Sequence, residues 1–470
     1  MDPVRLSQLV AATRGSAPAL TSGHRDFDRI ELDSREVQPG DVFWALRGER
    51  QDGHNFVGEA FERGAAACVV EHTHGIESHN ALIQVDDTRN ALRDFAQWYR
   101  RRQDVLVVGV TGSVGKTTTR EMVHAVLGAS HHGIRSRENF NNEIGLPLTL
   151  LDIDDGHEFA VLEMGARRIG DIQALAHIAE PEVGVITAIA PAHLETFGSL
   201  QGVAQGKGEL FEALPAHGFA VMSGDDESLQ PVAQRAACRV IRVGMGRDND
   251  VRATGIEVSP RGLSFQVDGH WYETPAMGRH MLIPALCALA IGREVGMDAD
   301  SIAAGLRNLQ LPPGRCRSER CGAWTVIDDT YNASPASMRA ACELLRDWPG
   351  ANKKLLIVGD MLELGEAVAD FHRELGDRAV RAKVDRLLAF GPHAGCVVSG
   401  ARDAGLPTHC VAECHDLDSL LAVLDCWLAP GDVALVKGSR GMRMERVVEW
   451  FRRRSQELAD EQARPTRACA

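Results

Sequence analysis

The chain has 470 residues and the composition of an ordinary globular protein, with 44% hydrophobic and 25% charged residues. At roughly 150 residues per domain, this length predicts about three domains and excludes a single small module. The 65 acidic residues outnumber the 51 basic ones, and the resulting net charge of -14 argues against non-specific binding of nucleic acid or anionic lipid.

The eleven cysteines are scattered along the chain and do not form the dense framework of a secreted disulfide protein. The N-terminal residues contain no apolar run of signal-peptide length, and no stretch reaches the roughly 18 apolar residues of a membrane span. We therefore expect a cytoplasmic protein that is not inserted in a membrane.

The first hundred residues alternate short apolar runs with turns, as in residues 41–46 and 67–70. This spacing is typical of a small α/β domain, which we place at residues 1–103. A charged stretch then gives way to a continuous apolar run at residues 105–110, the pattern of a strand buried on both faces of a parallel sheet. A second domain is therefore predicted to begin at residue 104.

The predicted second domain, residues 104–312, repeats strand, polar turn and amphipathic helix. Further strands are expected at residues 159–162 and 183–189. Between about residues 219 and 275 the apolar residues recur with period two, which predicts an antiparallel subsheet within this domain.

A turn rich in proline and glycine precedes a third alternating set of strands, which predicts a doubly wound C-terminal domain over residues 313–470. Its strands are expected at residues 325–327, 354–358, 386–390 and 433–436. The domain contains no G-x-G-x-x-G segment, so a dinucleotide site is not supported. The tail from residue 455 is expected to be frayed.

A loop of small and polar residues joins the buried strand at 105–110 to a predicted helix. It consists of Thr111, Gly112, Ser113, Val114, Gly115, Lys116, Thr117 and Thr118. Glycines let successive N–H groups surround a phosphate, the helix N-terminus adds its dipole, and the lysine and the first threonine can supply a charge and a Mg²⁺ ligand. The glycine spacing is one residue longer than in the usual P-loop, and a merely tight strand-to-helix turn is the alternative. The Gly-Lys-Thr-Thr string favours a nucleoside triphosphate site.

Two further residues are predicted to approach this loop. Glu163 ends one predicted strand and His193 follows another, so both should lie at the carboxyl edge of the sheet, where open α/β sheets bind ligands. A carboxylate there could hold Mg²⁺. Lys207 follows a glycine-rich turn and would by itself be read as a surface lysine.

These segments together resemble the Mur ligase family, the ATP-dependent enzymes that extend the peptide of the cell-wall precursor UDP-N-acetylmuramate. Besides the phosphate loop, the resemblance rests on residues 139–147, 163–165, 192–195, 207–209, 313–315, 328–335, 359–365 and 437–441, and it covers nearly the whole chain. It implies an α/β fold of three domains, namely a small N-terminal domain, a central P-loop domain with a parallel sheet and a β subsheet, and a C-terminal Rossmann-like domain.

Within the family, the Asn-Phe-Asn-Asn-Glu-Ile-Gly and Gly-Asp-Met-Leu-Glu-Leu-Gly strings resemble the MurF type, which joins D-alanyl-D-alanine to UDP-N-acetylmuramoyl-tripeptide. The MurE type, which adds the third amino acid, characteristically carries Asp-Asn-Pro-Arg, a tetrapeptide absent from this chain. Residues 33–35 and 48–56 resemble the segment that binds uridine diphosphate in both types, which speaks against folylpolyglutamate synthetases.

The resemblance implies roles for five residues of the central domain. Lys116 would hold the β- and γ-phosphates of ATP, and Thr117 a first Mg²⁺ ion. Glu163 and His193 would serve a second Mg²⁺ ion. Lys207 matches the lysine that becomes carbamylated in this family, and a neutral lysine can take up CO₂ to give an anion.

The resemblance also implies contacts from the outer domains. Arg315 and Asp329 would contact the triphosphate and the ribose of ATP when the C-terminal domain closes. The residues expected to bind the two other substrates are Ser34, Arg35, Asp52, His54, Asn141, Asn142, Asn332, Ser439 and Arg440.

The chain departs from the family pattern where adenine is expected. Met281 and Pro284 stand where asparagines are usual, and Ser334 replaces another asparagine. We interpret these differences as altered contacts with the base. A nucleotide-binding regulator or scaffold that has lost turnover is the alternative from a different functional class.

The predicted activity is formation of an amide bond by a cytoplasmic ligase in peptidoglycan precursor synthesis. ATP would phosphorylate the terminal carboxylate of UDP-N-acetylmuramoyl-tripeptide, and the amine of D-alanyl-D-alanine would attack the acyl phosphate. We expect a monomer with small-molecule substrates only. A MurE-type ligase stays open as the alternative within the family.

Overall fold

The computed structural model describes residues 1–18, 26–48, 50–73, 81–137, 139–191 and 193–463. Three parallel sheets follow one another along the chain, each covered by helices, and we refer to them as the first, central and third units. This arrangement confirms the predicted α/β fold class. Within the described ranges, no helix combines the length and the apolar character that crossing a membrane requires.

The first unit is built on four short parallel strands in the order β3-β4-β5-β6. Its elements are β1 (Val4–Arg5), α1 (Leu6–Thr13), β2 (Asp26–Phe27), β3 (Ile30–Glu31), β4 (Val42–Trp44), α2 (Val57–Glu62), β5 (Ala67–Val70), β6 (Leu82–Gln84) and α3 (Thr88–Arg100). Helix α3 begins where the Asp87 carboxylate accepts a bond of 2.7 Å from the Asn90 amide. Its buried face carries Leu92 and Phe95, and it packs against helices of both the first and the central unit.

The central unit contains a seven-stranded parallel sheet and a small antiparallel sheet. Its elements are β7 (Leu106–Thr111), α4 (Lys116–Leu127), β8 (Gly133–Arg135), α5 (Gly145–Leu151), β9 (Phe159–Glu163), α6 (Asp171–Ala179), β10 (Val183–Ile186), α7 (Leu194–Phe197), α8 (Leu200–Glu212), β11 (Phe219–Ser223), α9 (Gln230–Ala233), β12 (Arg239–Gly244), β13 (Val251–Arg252), β14 (Thr254–Ser259), β15 (Gly262–Val267), β16 (His270–Thr274), α10 (Leu282–Glu294) and α11 (Ala299–Arg307). The strand order is β13-β12-β11-β10-β7-β9-β8, so β7 lies between β10 and β9. The carboxyl ends of these three strands therefore meet at one edge.

The antiparallel subsheet is smaller than the sequence predicts. Strands β11, β12 and β13 extend the parallel sheet, and only β14, β15 and β16 are antiparallel. The side chains explain the difference, because β11 is buried almost continuously, as parallel strands are, whereas β16 alternates buried and exposed residues. The expectation of a subsheet over about 219–275 is thus correct only for its second half.

The third unit is a doubly wound sheet in the order β17-β18-β22-β19-β20-β21, in which β17 is an antiparallel edge strand. Its elements are β17 (Arg317–Cys321), β18 (Trp324–Asp329), α12 (Pro335–Asp347), β19 (Lys354–Gly359), α13 (Val368–Arg381), β20 (Arg386–Phe390), α14 (Ala394–Asp403), β21 (Val411–Cys414), α15 (Leu417–Trp427), β22 (Val433–Lys437) and α16 (Glu445–Ala463). The expectation of a frayed tail from residue 455 is wrong as far as Ala463, because α16 continues to that residue, and residues 464–470 lie outside the described part.

The hydrophobic core does not divide where the sheets divide. One buried cluster joins Trp44 and Phe95 of the first unit to Leu150 of the central unit. A second cluster joins Met281 of the central unit to Leu344 of the third. The clefts between the units are therefore bordered by packed apolar side chains, which fix the walls of the cavities described next.

Candidate active site

The loop after β7 turns sharply and lies against the segment that follows β10. Gly112 has a φ angle of 145° and Gly115 one of 84°, in the range that disfavours residues with a Cβ atom. A Cβ on Gly112 would lie 2.0 Å from the Oγ1 atom of Thr187. That hydroxyl donates a bond of 2.5 Å to the carbonyl of Val114, and the Ser113 amide donates one of 2.9 Å to Ala188. Glycine is thus required by backbone angle and by space.

Lys116 is the first residue of α4 and reaches back over the loop. Its Nζ atom donates a bond of 2.9 Å to the carbonyl of Gly112. Burial in the cleft lowers the pKa of the Lys116 amine, an effect that the Glu163 carboxylate opposes and Arg315 reinforces. An anion in the loop would favour the charged form of this lysine and would meet the N-terminus of α4.

Glu163 ends β9 and is almost completely buried beside the loop. Its carboxylate accepts bonds from Thr117 Oγ1 at 2.9 Å, from Asn141 Nδ2 at 2.9 Å and from Arg120 Nη1 at 3.3 Å. The predicted neighbours Thr117 and Glu163 are thus in direct contact. This contact requires β9 to lie next to β7, as the strand order provides.

The oxygen atoms of Thr117 and Glu163 suit a magnesium ion that is shared with a nucleotide. Within the described residues, no group of three or more His, Cys, Asp or Glu side chains is arranged to hold a metal ion by itself. Mg²⁺ is usually bound through one or two protein oxygens together with phosphate oxygens of the substrate and water. The donor set therefore fits Mg²⁺ when phosphate is present.

His193 contacts the third unit. Its Nδ1 atom lies 2.7 Å from an Oε atom of Glu363, and both residues have left-handed backbone angles, with φ of 51° and 61°. Such angles are uncommon for residues with side chains and tend to occur at functional sites. Burial lowers the pKa of the His193 ring, and the Glu363 carboxylate opposes this shift. The sequence analysis did not single out Glu363, although it lies in the conspicuous Gly-Asp-Met-Leu-Glu-Leu-Gly string.

Lys207 is buried, with 2% of its surface exposed, so it is not the surface lysine that its local sequence suggests. Its Nζ atom donates a bond of 3.4 Å to the carbonyl of Ala166 and lies 5.7 Å from the ring centroid of Phe197. Burial, reinforced by the charge of Lys116, lowers the pKa of Lys207 to about 7. A substantial neutral fraction at neutral pH makes this amine a nucleophile.

The third unit presents Arg315 to the loop. Its Nη2 atom donates a bond of 2.8 Å to Thr117 Oγ1, and its guanidinium carbon lies 3.7 Å from the ring centroid of Tyr331. Asp329, the last residue of β18, accepts a bond of 2.7 Å from Lys437 Nζ. A stacked arginine is held in one orientation, which suits recognition of phosphate oxygens. Tyr331 was not among the predicted site residues.

The three other predicted residues of the third unit, Ser439, Arg440 and Asn332, differ in their contacts and exposure. Ser439 is buried and its hydroxyl accepts a bond of 3.0 Å from the Leu362 amide, so it anchors the segment that carries Glu363. The Arg440 side chain is 68% exposed, and it lies over the outer side of the Tyr331 ring at 5.7 Å. Asn332 lines the same cavity.

With the exceptions of Arg120 and Lys207, the charged side chains described above line a cavity of about 1490 Å³ between the central and third units. His280, Met281, Pro284 and Ser334 line it too, so the positions that depart from the family pattern face the same space. His280 is exposed at the wall of the cavity, and the surrounding protein lowers the pKa of its ring. A neutral ring and apolar neighbours would suit a planar, uncharged base.

A second cavity of about 940 Å³ lies between the first and central units. It is lined by Ser34 and Arg35 from the first unit and by Arg137 and Phe140 from the central unit. The Ser34 hydroxyl donates a bond of 2.7 Å to Glu59. The predicted residues Ser34 and Arg35 therefore meet the central unit across an open space of nucleotide size.

Asp52 and His54, both predicted to bind substrate, form a hydrogen-bonded pair within the first unit. The Asp52 carboxylate accepts a bond of 3.0 Å from the His54 amide and lies 2.6 Å from the ring Nδ1 atom, while the other ring nitrogen accepts one of 2.8 Å from the Glu71 amide. Neither residue lines the second cavity. Because their polar atoms are occupied within the first unit, they shape the cavity rather than face it.

Asn141 and Asn142 also differ in their hydrogen-bond partners. Asn141 lines the larger cavity and bonds Glu163, as described above. The Asn142 side-chain oxygen accepts bonds from the amides of Ile144 and Gly145 at 3.1 and 2.9 Å, so it caps the start of α5 although the residue also lines the cavity.

The chain matches three descriptions of known protein families. Residues 26–100 match the Mur ligase family catalytic domain, residues 110–292 the Mur ligase middle domain, and residues 314–440 the Mur ligase glutamate ligase domain.

Two curated relatives are both named UDP-N-acetylmuramoyl-tripeptide–D-alanyl-D-alanine ligase. The relative from Bacillus subtilis is 37% identical over 89% of this chain and 92% of its own length. The relative from Escherichia coli is 36% identical over 95% of this chain and 98% of its own length.

Solved structures are similar over the same extent. A crystal structure of MurF from Acinetobacter baumannii has a TM-score of 0.88 and 31% identity, covering 96% of this chain and 99% of that one. A UDP-N-acetylmuramoylalanyl-D-glutamyl-2,6-diaminopimelate–D-alanyl-D-alanyl ligase from the same organism has a TM-score of 0.85 and 30% identity, covering 96% and 98%. MurF ligase from Thermotoga maritima in complex with ADP has a TM-score of 0.81 and 31% identity, covering 92% and 98%. On this evidence the chain belongs to the Mur ligase family.

Proposed function

We propose that this protein is an ATP-dependent ligase that joins D-alanyl-D-alanine to UDP-N-acetylmuramoyl-tripeptide in the synthesis of peptidoglycan precursors. The observation that carries the proposal is the meeting of Lys116, Thr117, Glu163 and Arg315 in one cavity between two units. The named relatives, similar over almost the whole chain, supply the substrate class. The terminal carboxylate would be phosphorylated, and the dipeptide amine would then displace phosphate to form the amide.

The phosphates of ATP would occupy the loop at residues 111–118. Lys116 would exchange its bond to Gly112 for the β- and γ-phosphates, and Arg315 would neutralise charge from the opposite side of the cavity. Mg²⁺, held by Thr117 and Glu163 together with phosphate oxygens and at a second position by Glu163 and His193, would supply charge stabilisation of the transferred phosphoryl group. Asp329 would contact the ribose.

Lys207 would act as a carbamate. Its neutral amine would attack CO₂ to form an N–C bond and would lose one proton, which gives an anionic carbamate. A side chain that is a cation when protonated would thus become an anion. The low pKa of Lys207 and its burial near Lys116 and Glu163 support this proposal. As a carbamate, Lys207 would offset part of the positive charge of the cavity. It would also support the metal site without being one of the metal ligands named above.

The three units would divide the work along the boundaries expected from the sequence. Residues 1–103 would bind the UDP-sugar end in the smaller cavity through Ser34 and Arg35, with Asp52 and His54 shaping its wall. Residues 104–312 would bind ATP, and Asn141 and Asn142 would border the peptide. Residues 313–470 would close on ATP and bind the incoming dipeptide through the set Asn332, Ser439 and Arg440. Closure would exclude water from a hydrolysable acyl phosphate.

The test is acceptor-dependent release of ADP by the purified protein with Mg²⁺ and ATP. One reaction contains UDP-N-acetylmuramoyl-tripeptide and D-alanyl-D-alanine, and the other contains UDP-N-acetylmuramoyl-dipeptide and a diamino acid. We expect turnover in the first only, with a product larger than the tripeptide substrate by one dipeptide. Turnover only in the second would overturn the proposal in favour of a MurE-type ligase, and ATP binding without turnover in either would favour a nucleotide-binding regulator.

A further inference from the structure

Helix α3 carries an arginine with an unused hydrogen-bond donor. The Nε atom of Arg93 is buried and has no hydrogen-bond partner in the described part of the chain. The one bond recorded for its side chain runs from Nη1 to the Asn90 side-chain oxygen at 3.5 Å, the limit of a hydrogen bond. A guanidinium has five N–H donors, and a buried donor without a partner is costly. This arginine is therefore poised for an acceptor that the described part of the chain does not supply.

Two arginines at the C-terminal end of this helix, Arg100 and the capping residue Arg101, have carboxylate partners. The Arg100 guanidinium lies 2.7 Å from Glu182, and that of Arg101 lies 2.5 Å from Glu180. Both bind carboxylates of the central unit and tie the two units together. Arg93 lies outside every segment that carries the family resemblance, and among the described residues it makes no ion pair within 4.0 Å.

Arg93 stands between the two cavities. It lines the larger cavity, beside Leu175 and Ile178 of α6, and Arg89, one turn earlier on α3, lines the smaller one. Arg89 is occupied, because its Nη2 atom donates a bond of 2.8 Å to the carbonyl of Arg47 and its guanidinium lies 3.7 Å from Glu143. One face of α3 thus borders both spaces, since residues four apart lie above one another on a helix.

A substrate that spans both cavities must pass this face. The following step rests on the proposed function, in which the UDP end occupies the smaller cavity and the reacting carboxylate the larger one. The peptide named for the ligase from Acinetobacter baumannii contains a glutamyl residue before its last residue. A glutamyl residue that is joined to its successor through one carboxyl group keeps the other as a free carboxylate, midway between the two ends.

We propose that Arg93 binds the free carboxylate of this glutamyl residue and so determines which peptides are accepted. The guanidinium fork matches a carboxylate in two parallel bonds, and the apolar wall of α6 lowers the competition from water. Arg93 contributes to the affinity for the peptide substrate and to its position in the cavity. It takes no part in phosphoryl transfer. The ligand class that it selects is an acidic peptide with an anionic group one residue before the reacting end.

The test is isothermal titration calorimetry without ATP, so that binding is measured apart from chemistry. The wild type, Arg93→Ala and Arg93→Lys are titrated with UDP-N-acetylmuramoyl-tripeptide and with the same ligand in which the glutamyl carboxylate is a carboxamide. We expect Arg93→Ala to weaken binding of the natural ligand by roughly 10- to 100-fold, with Arg93→Lys intermediate. The wild type and Arg93→Ala should bind the carboxamide ligand with equally low affinity.

The matched control is Arg102→Ala, which removes an exposed arginine of the same region that lines neither cavity and should leave binding unchanged. Thermal unfolding and ADP binding of each variant establish that it is folded. A third ligand carries lysine in place of diaminopimelate as the last residue, which removes that residue's own spare carboxylate.

Each other outcome contradicts the inference in a distinct way. If Arg93→Ala binds the natural ligand as tightly as the wild type, or weakens both ligands equally, Arg93 does not read the glutamyl carboxylate. If Arg93→Ala loses only the distinction between diaminopimelate and lysine, the carboxylate is that of the last residue. If the wild type binds ADP but neither peptide ligand, the proposed function itself is wrong and this inference with it.

Discussion

The two cavities differ in how their charged side chains are partnered. In the smaller cavity the short ion pairs are local, as for Arg35 with Asp33 at 2.6 Å and Arg137 with Asp152 at 2.9 Å, whereas the longer pair of Arg89 with Glu143 at 3.7 Å crosses between units. In the larger cavity short polar contacts join the central unit to the third, as for Arg315 with Thr117 and His193 with Glu363, besides local pairs such as Lys437 with Asp329. The smaller cavity is therefore organised mainly within each unit, whereas the larger one depends more on two units being together.

This contrast matches the chemistry proposed for each space. A site that only binds can be complete before its ligand arrives, and local pairing keeps its charges in place. A site that must release ADP and phosphate after every turnover benefits from contacts that can open. The following variants test this difference, beginning with the largest expected effect.

Lys116→Ala should reduce acceptor-dependent ADP release by at least about 100-fold, because the only lysine in the phosphate loop is removed from a transition state rich in negative charge. The measurement is a coupled assay of ADP release at saturating substrates. Lys353→Ala, which changes a lysine outside both cavities, is the control and should retain full activity. Activity of Lys116→Ala close to that of the wild type would remove the loop from the mechanism.

Lys207→Met should abolish most of the activity yet raise the melting temperature in CO₂-free buffer. The pKa of Lys207 is about 7 in the folded protein, compared with about 10.4 for an exposed lysine. The cost of the buried charge is therefore complete below about pH 7 and disappears as the pH rises towards about 10, so the stabilisation should shrink over that range. Differential scanning calorimetry at several pH values checks this, and an unchanged difference would contradict the low pKa.

Lys207→Ala allows the anionic form of this residue to be tested. If the working side chain is a carbamate, short carboxylic acids such as acetate should restore part of the ADP release. Neutral amides of the same size serve as the control and should restore none. Rescue by both, or by neither, would argue against an anion at this position.

Glu363→Gln should reduce kcat by roughly 10-fold with a smaller effect on binding of the tripeptide substrate, because the ion pair that joins His193 to the third unit is lost. Glu366→Gln, on the same segment, is the matched control. Small-angle X-ray scattering with a non-hydrolysable ATP analogue provides a second readout, and the variant should remain more extended than the control. Equal scattering of the two variants would mean that this pair does not hold the units together.

Arg35→Ala should have the smallest effect, a roughly three- to tenfold loss of affinity for UDP-N-acetylmuramoyl-tripeptide with kcat unchanged. Its side chain is 75% exposed and its partner Asp33 belongs to the same unit, so neither closure nor folding depends on it. Calorimetric titration and the melting temperature check both points. A fall in kcat as large as that expected for Glu363→Gln would contradict the proposal that the smaller cavity serves binding alone.

The sequence alone was sufficient to predict the elements whose positions depend on strand order. The buried run before Gly112 predicted a central strand, and Glu163 at the end of another such run was correctly expected near the loop, because carboxyl ends of parallel strands share one edge. The hydrogen-bond partners of individual side chains were harder to predict from the sequence. Asn142 and His54 were predicted to bind substrate, and both side chains accept hydrogen bonds from the backbone, Asn142 from its own turn and His54 from the distant Glu71 amide.

Contacts between distant segments could not be predicted in this way. The pairing of His193 with Glu363, and the lack of a partner for the Arg93 Nε atom among the described residues, depend on how whole units pack, which no local pattern encodes. The extent of the antiparallel subsheet was misjudged for a related reason. Strand β11 is apolar almost throughout and is covered by α10 and neighbouring strands, whereas the residues of β16 alternate between buried and exposed, and the predicted subsheet took both into one region.

The close fit of Gly112 against Thr187 also constrains how this sequence can change over time. The two positions lie 75 residues apart in the chain but share one small volume, so neither can accept a bulkier residue while the other stays as it is. Because the backbone angle at position 112 also requires glycine, a glycine on one side and a short hydroxyl-bearing residue on the other should be retained together among descendants of this gene. Such a coupled pair gives a criterion for recognising distant relatives whose phosphate loop, like this one, departs from the usual spacing.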